Sequence, residues 1–187
     1  MNRRTGLTLI ELVITVTVLA VMTLAVVPFL RTSIKRHRET QLRAALAEMR
    51  AAIDDFRRDA LVMPCPGEPG TFDGVERQPP FIDPRNRVVI SDCSIISADN
   101  PDRYPPTLET LAEGVNVVPR AGDRSLQGRK KIYLRSIPID PMTGHSDWQL
   151  RSSYDPPHEA SWGGENVFDV RSRSTGIALN GEKYKDW

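Results

Sequence analysis

GLTLIELVITVTVLAVMTLAVVPFL, residues 6–30, decides the architecture. It holds one charged residue, Glu11, and the nineteen residues from Leu12 to Leu30 carry none. As a helix, Leu7–Leu30 extends about 36 Å at about 1.5 Å per residue. That exceeds the roughly 30 Å hydrocarbon core of a bilayer, so a single membrane-spanning helix is expected. A short basic stretch, MNRRTG, precedes it.

The residues that follow continue the helix. Residues 31–63 contain neither Pro nor Gly, and Leu42, Leu46, Met49, Ile53, Phe56 and Ala60 recur at spacings of 4, 3, 4, 3 and 4. Such a stripe serves packing on the chain's own sheet or, less readily at under three heptads, a coiled-coil seam. One helix from residue 7 to about 62 is expected, with Pro64 as its stop. Fourteen of fifteen prolines and eleven of twelve glycines lie after residue 63, so the remainder is punctuated like a turn-rich domain with strands.

Composition narrows the function. At 187 residues and net charge +1, the chain suits one domain with an appendage and not a nucleic-acid binder relying on bulk charge. Two cysteines exclude a four-cysteine zinc site, and three scattered histidines give little for a His-based centre.

Three readings of the N-terminus compete. A cleaved secretory signal has a shorter apolar region and a small-x-small site before its end, which is lacking here. A plain anchor explains the length but not Glu11, since a carboxylate in a spanning helix is costly and by default functional. The third uses every residue. GLTLIELVITV, Gly6–Val16, resembles the class III signal of type IV pilins and type II secretion pseudopilins. The resemblance implies cleavage by a prepilin peptidase between Gly6 and Leu7, N-methylation of Leu7, and an assembly role for Glu11, fifth residue of the mature chain. Leu7 departs from the usual Phe or Met.

Cleavage removes Arg3 and Arg4, so the mature charge is 23 − 24 = −1, and leaves a positive amine on Leu7. In low dielectric Glu11 needs a compensating charge, which the Leu7 amine of a neighbouring copy supplies. The alternative is a glutamate snorkelling beside its own helix N-terminus. Pro28 lies where the helix leaves the membrane. The resemblance implies melting upstream of it on assembly, and a static kink is the alternative. Arg31, Lys35, Arg36 and Arg38 follow the span, so the positive-inside rule alone puts the C-terminal side in the cytoplasm. The family orientation is the reverse, with an exported domain and the basic cluster facing headgroups or neighbouring subunits.

Cys65 and Cys93 bracket an irregular stretch, and a disulfide is expected if it is exported, with free thiols the alternative. Further on, YPPTLETLAEG (104–114) predicts a turn and short helix with Thr107 as N-cap and Gly114 closing it. KIYLRSIPIDPMTG (131–144) predicts a strand entering a proline-fixed loop. DWQLRSS (147–153) and Val167–Arg171 predict strands, and Asn180-Gly181 a hairpin turn.

In this order the motifs resemble the G-type, or major, pseudopilins of type II secretion, the family also called general secretion pathway protein G. The resemblance covers residues 1–63 and 102–187 and leaves 64–103 as a Cys-bracketed insertion. It implies an α+β, type IV pilin-like fold: a long N-terminal helix packed on a small antiparallel β-sheet. The expected parts are a leader (1–6), a transmembrane polymerisation helix (7–30), an amphipathic helix (31–63), the insertion (64–103) and a β-rich periplasmic domain (104–187). Many members bind calcium in an Asp-rich C-terminal loop. Here Ser172, Ser174, Thr175 and Asn180 replace acidic ligands, leaving Glu182 and Asp186 as anions. Calcium prefers several carboxylates. No cofactor is therefore expected, and the loop is expected to rest on hydrogen bonds and on Tyr184 and Trp187.

Catalytic motifs such as the P-loop, HExxH and GxSxG are absent from the sequence. His145 near Asp140 and Asp147, and His158 beside Glu159, read as solvated loop residues. The expectation is a structural subunit anchored in the bacterial inner membrane, N-terminus cytoplasmic, that polymerises into a periplasmic filament driving protein export. Its expected partners are copies of itself, minor pseudopilins, an inner-membrane platform and the prepilin peptidase, with no nucleic acid. The rivals are a type IV pilin of a surface filament for adhesion, motility or DNA uptake, and a membrane-anchored binding domain that never polymerises.

Overall fold

The computed structural model describes residues 8–61, 88–95, 99–119, 128–156 and 161–187, without the side chains of 25–29. Helix α1 spans Leu9–Ala60, 52 residues, or about 78 Å at about 1.5 Å per residue. It runs unbroken through position 28. The predicted stop at Pro64 lies outside the described residues.

The lower half of α1 holds the core. Leu42, Leu46, Met49, Ile53, Phe56 and Ala60 are all buried, joined by Ala45 and Ala52 on the same face. Strand β1 (Val88–Ile90), β2 (Val115–Pro119) and β3 (Arg129–Lys131) form an antiparallel sheet with β2 central. Val89 pairs with Val118, and Asn116 with Lys130. A second antiparallel pair, β4 (Gln149–Arg151) and β5 (Asp169–Arg171), sets Leu150 opposite Val170. Ile90, Val115, Val117, Val167 and Val170 join the α1 face in one core. A long helix on small antiparallel sheets is the α+β, type IV pilin-like arrangement expected from the sequence.

Several elements follow from local chemistry. Helix α2 (Leu108–Glu113) starts at Thr107, whose Oγ1 accepts from the Thr110 amide, and ends at Gly114. Gly114 has φ +76°, and a Cβ there would stand 2.8 Å from the Lys131 carbonyl. Only glycine fits this left-handed close approach. In β2, Val115 and Val117 are buried while Asn116 is exposed, the period-two pattern of a strand with one face inward.

One expectation needs correction. The strand within 131–144 stops at Lys131, because the amides of Tyr133 and Leu134 both donate to the Leu111 carbonyl at 3.0 Å. Within the 64–103 segment, Val88–Ile90 is a buried strand paired with β2. The Asn180-Gly181 turn closes only a single bridge, Ile177 with Lys183.

Buried polar groups lock these pieces. Arg103 donates to the carbonyls of Ala60 (2.8 Å) and Leu61 (3.2 Å), capping the end of α1. Asp59, 3% exposed, accepts from Lys131 and from the Tyr133 hydroxyl at 2.8 Å. Burial, and then Asp59, push the Tyr133 phenol well above its ordinary range. Asn166 donates to Asn100, which donates to the Tyr104 carbonyl, tying two loop segments together.

Phe56 is fully buried, with its ring edge-on to Tyr133 at 5.4 Å. Phe56→Ala should lower unfolding stability by about 3–5 kcal/mol, whereas Leu19→Ala on the open half should change it by under about 0.5 kcal/mol. Urea titrations in detergent with tryptophan fluorescence measure both, and equal midpoints for the two variants would contradict this placement of the core.

Candidate functional site

The upper half of α1 is open. From Leu9 to Leu24 eleven large apolar residues stand exposed, between 47% for Val13 and 82% for Leu9. The polar groups among them are neutralised within the helix. Thr15, Thr17 and Thr23 hydroxyls each donate to a carbonyl three or four residues back, at 2.9–3.0 Å. A threonine so folded presents its methyl outward and leaves no donor to the surroundings. The helix starts at Thr8, whose Oγ1 accepts from the Glu11 amide at 3.4 Å. Glu11 lies in the first turn, where the helix dipole favours a negative charge. It is the one charged residue between Leu9 and Leu24.

Gly6 and Leu7 lie outside the described residues, as does the side chain of Pro28. At position 28 the backbone is helical, without local melting in the single chain. Among the described residues, no helix is long and apolar enough to cross a membrane. The apolar side chains described, Leu9–Leu24, amount to about 24 Å of helix at about 1.5 Å per residue.

Between the two halves, the C-terminal segment grips one face of α1. Lys35 donates to the Ile177 carbonyl at 2.7 Å. Glu39 Oε1 accepts from the Leu179 amide (2.8 Å) and the Tyr184 hydroxyl (2.9 Å). The Arg43 guanidinium lies 4.3 Å over the Trp187 ring. Arg50 reaches Asp169 at 2.8 Å and the main-chain oxygens of Val170 and Trp187. Positions 35, 39, 43 and 50 fall on one side of a 3.6-residue helix, so the contacts form a ladder. Sequence reading missed this ladder and the Arg103 cap; the Arg/Lys/Glu spacing was its only signal.

The calcium candidates do not converge as a set. Ser172 is buried and donates to Asp140, itself fully buried and accepting from the Met142 amide. Asn180 and Glu182 bond each other, and Glu182 Oε2 also accepts from the Trp187 indole. Glu182 and Asp186 line a shallow cavity of about 450 Å³ together with Arg43 and Arg50. Tyr184 and Trp187 pack edge-on at 5.3 Å. Among the described residues, no group of three or more His, Cys, Asp or Glu is placed to hold a metal.

His145, Asp140 and Asp147 do not gather either. Asp140 is engaged as above, Asp147 pairs with Arg173 at 3.1 Å, and His145 contributes its carbonyl to the Asp140 amide. His158 and Glu159 lie outside the described residues. Cys93 is disulfide-bonded, at the head of a 3-10 turn, Cys93–Ile95. Cys65 lies outside the described residues.

Comparison with known proteins agrees with this geometry at the N-terminus. Residues 1–27 match the family model of the prokaryotic N-terminal methylation motif. With the long helix and small antiparallel sheet, the match supports a type IV pilin-like protein processed by a prepilin peptidase. No curated protein and no solved structure matches the chain.

The Tyr184 phenol is pushed up to about 12, by burial first and then by its hydrogen bond to Glu39. The folded state therefore holds this proton more tightly than the unfolded state. Its contribution to stability is whole below about pH 10 and is lost as pH rises through about 12. Absorbance titration at alkaline pH should show a late tyrosine step that Glu39→Gln moves back towards the ordinary value. An unmoved step would mean the Glu39–Tyr184 rung does not form.

Proposed function

We propose that this chain is a structural pseudopilin subunit. It is processed by a prepilin peptidase and polymerises into a periplasmic filament that drives protein export by type II secretion. One observation carries the proposal: a helix half that exposes eleven large apolar side chains, with its threonines turned inward and one acid near its start. Such a surface has two suitable environments, hydrocarbon and other copies of itself, and a pseudopilin uses both in turn. The methylation motif at residues 1–27 supports the processing step. The order of the C-terminal motifs favours the secretion pseudopilus over a surface pilus.

In this account the peptidase cuts between Gly6 and Leu7 and the Leu7 amine is methylated. The apolar run to Leu30 spans the inner membrane, with the C-terminal domain in the periplasm. Glu11 of an incoming copy pairs with the Leu7 amine of a copy already in place. In low dielectric an unpaired carboxylate is penalised by several kcal/mol, so the pair sets register more than it adds net stability. The partners are copies of the chain, minor pseudopilins and the inner-membrane platform.

N-terminal sequencing of the mature protein should return N-methylated Leu7, and Gly6→Val should leave the precursor six residues longer. Glu11→Val should still be cleaved and membrane-bound but lose filament assembly, read by cross-linking. A native chain that keeps residues 1–6, or a Glu11→Val variant that assembles normally, would overturn the proposal.

In this reading the partner of Cys93 is Cys65, the other cysteine in the sequence. The bond closes a loop of about 29 residues, which contributes roughly 3–4 kcal/mol in the chain-entropy account. Reduced and unreduced samples should differ in gel mobility, and Cys65→Ser should abolish the difference. Equal mobility in the wild type would count against the bond.

A further inference from the structure

The buried stripe of α1 does not end where the domain ends. Followed upward from Leu42, the same helix face continues through Arg38, Lys35, Ile34 and Arg31, at spacings of three and four. Its chemistry changes there from apolar to cationic. Opposite these residues the domain presents Met142 and Ile177, leaving an open cleft of about 420 Å³. Ile34 is 54% and Ile177 56% exposed, so the floor is apolar and uncovered. Arg31 and Arg38 form no ion pair among the described residues, and Lys35 is held in place by the Ile177 carbonyl. The nearest acid on the helix, Glu39, is engaged by the Leu179 amide and by the hydroxyl of Tyr184, which itself lines the cleft. Three positive charges thus rim an apolar cleft, four to eleven residues above the core residue Leu42 and directly below the apolar run that ends at Leu30.

We propose that this cleft binds one anionic phospholipid, its phosphodiester on Arg31, Lys35 and Arg38 and the start of an acyl chain against Ile34 and Ile177. The inference rests on the membrane placement of residues 7–30. Charge complementarity selects the headgroup, and the uncovered isoleucines select a ligand with an apolar portion. Free phosphate fits only the rim. The proposal also gives the basic cluster a task on the exported side, where the positive-inside rule leaves it unexplained.

The test uses the mature full-length protein in mild nonionic detergent, titrated with short-chain phosphatidylglycerol or phosphatidylcholine and read by native mass spectrometry. Phosphatidylglycerol should bind at least tenfold more tightly than phosphatidylcholine. Arg31→Gln with Arg38→Gln should weaken phosphatidylglycerol binding about thirtyfold, the equivalent of about 2 kcal/mol for two basic residues. Arg36→Gln, on the other face of the helix, should change it less than about twofold. Equal binding of the two lipids, an Arg36→Gln effect as large as that of the double variant, or displacement by millimolar inorganic phosphate would each overturn the proposal. So would a second copy of the chain bound in place of lipid and lost in the double variant. Alkaline carbonate extraction of membranes separates the two levels. A chain that stays in the pellet without lipid preference sinks the cleft alone, and a chain that is extracted sinks the membrane placement with it.

Discussion

One helix with two unlike halves constrains everything else. The half from Leu42 to Ala60 is sealed by the chain's own sheets, and the half from Leu9 to Leu24 is covered by nothing among the described residues. Leaving a large apolar side chain in water forfeits about 1.5–3 kcal/mol. At 47–82% exposure, eleven such residues forfeit on the order of 10–20 kcal/mol, comparable to the whole stability of an ordinary domain. That imbalance cannot be a neutral feature of a monomer in water. The inward-turned threonines argue the same way, since hydroxyls facing water gain nothing by bonding to their own helix.

What was legible in the sequence was what local chemistry specifies. The apolar stripe showed because a 3.6-residue period repeats over five turns. The Thr107 and Gly114 caps showed because each acts within a few residues of itself. Strands β1 and β2 did not show: they are three and five residues long, and their pairing joins Val88 to Pro119 across a stretch with no pattern of its own. Arg103 is an extreme case. Its target, the Ala60 carbonyl, is 43 residues away, and no property of an isolated arginine announces a cap. Asp59 was readable and unread. It sits beside the apolar stripe, where an acid needs a buried partner, and Lys131 and Tyr133 provide one.

The candidate site divides in the same way. Glu11 and the apolar run are marked by sequence because their function is one of composition: a lone charge in a neutral stretch. The C-terminal segment is different. Ser172 looked like a vacant ligand position and is instead a buried donor to Asp140. Glu182 looked like the remnant of an ion site and instead accepts from the Asn180 amide group and the Trp187 indole. The helix meets this segment through Arg43 over the Trp187 ring and Arg50 on Asp169, contacts invisible until residues 43 and 187 are brought together.

The ladder at residues 35, 39, 43 and 50 then has a mechanical consequence. Because it clasps the C-terminal segment up to Lys35, it fixes how far the domain climbs the helix. From Leu42 down, the inward face is committed to the core, and from Leu24 up the large apolar side chains stand open. The transition is abrupt, since the helix face turns from leucine to arginine and lysine within one turn and back to continuous apolar residues by Leu30. A cationic collar only two turns tall, between a sealed core and an open apolar rod, is what a boundary between water and hydrocarbon requires. Water solvates the guanidinium groups on one side, and the rod avoids water on the other. The ladder thus holds the domain at a set height on the helix relative to that collar.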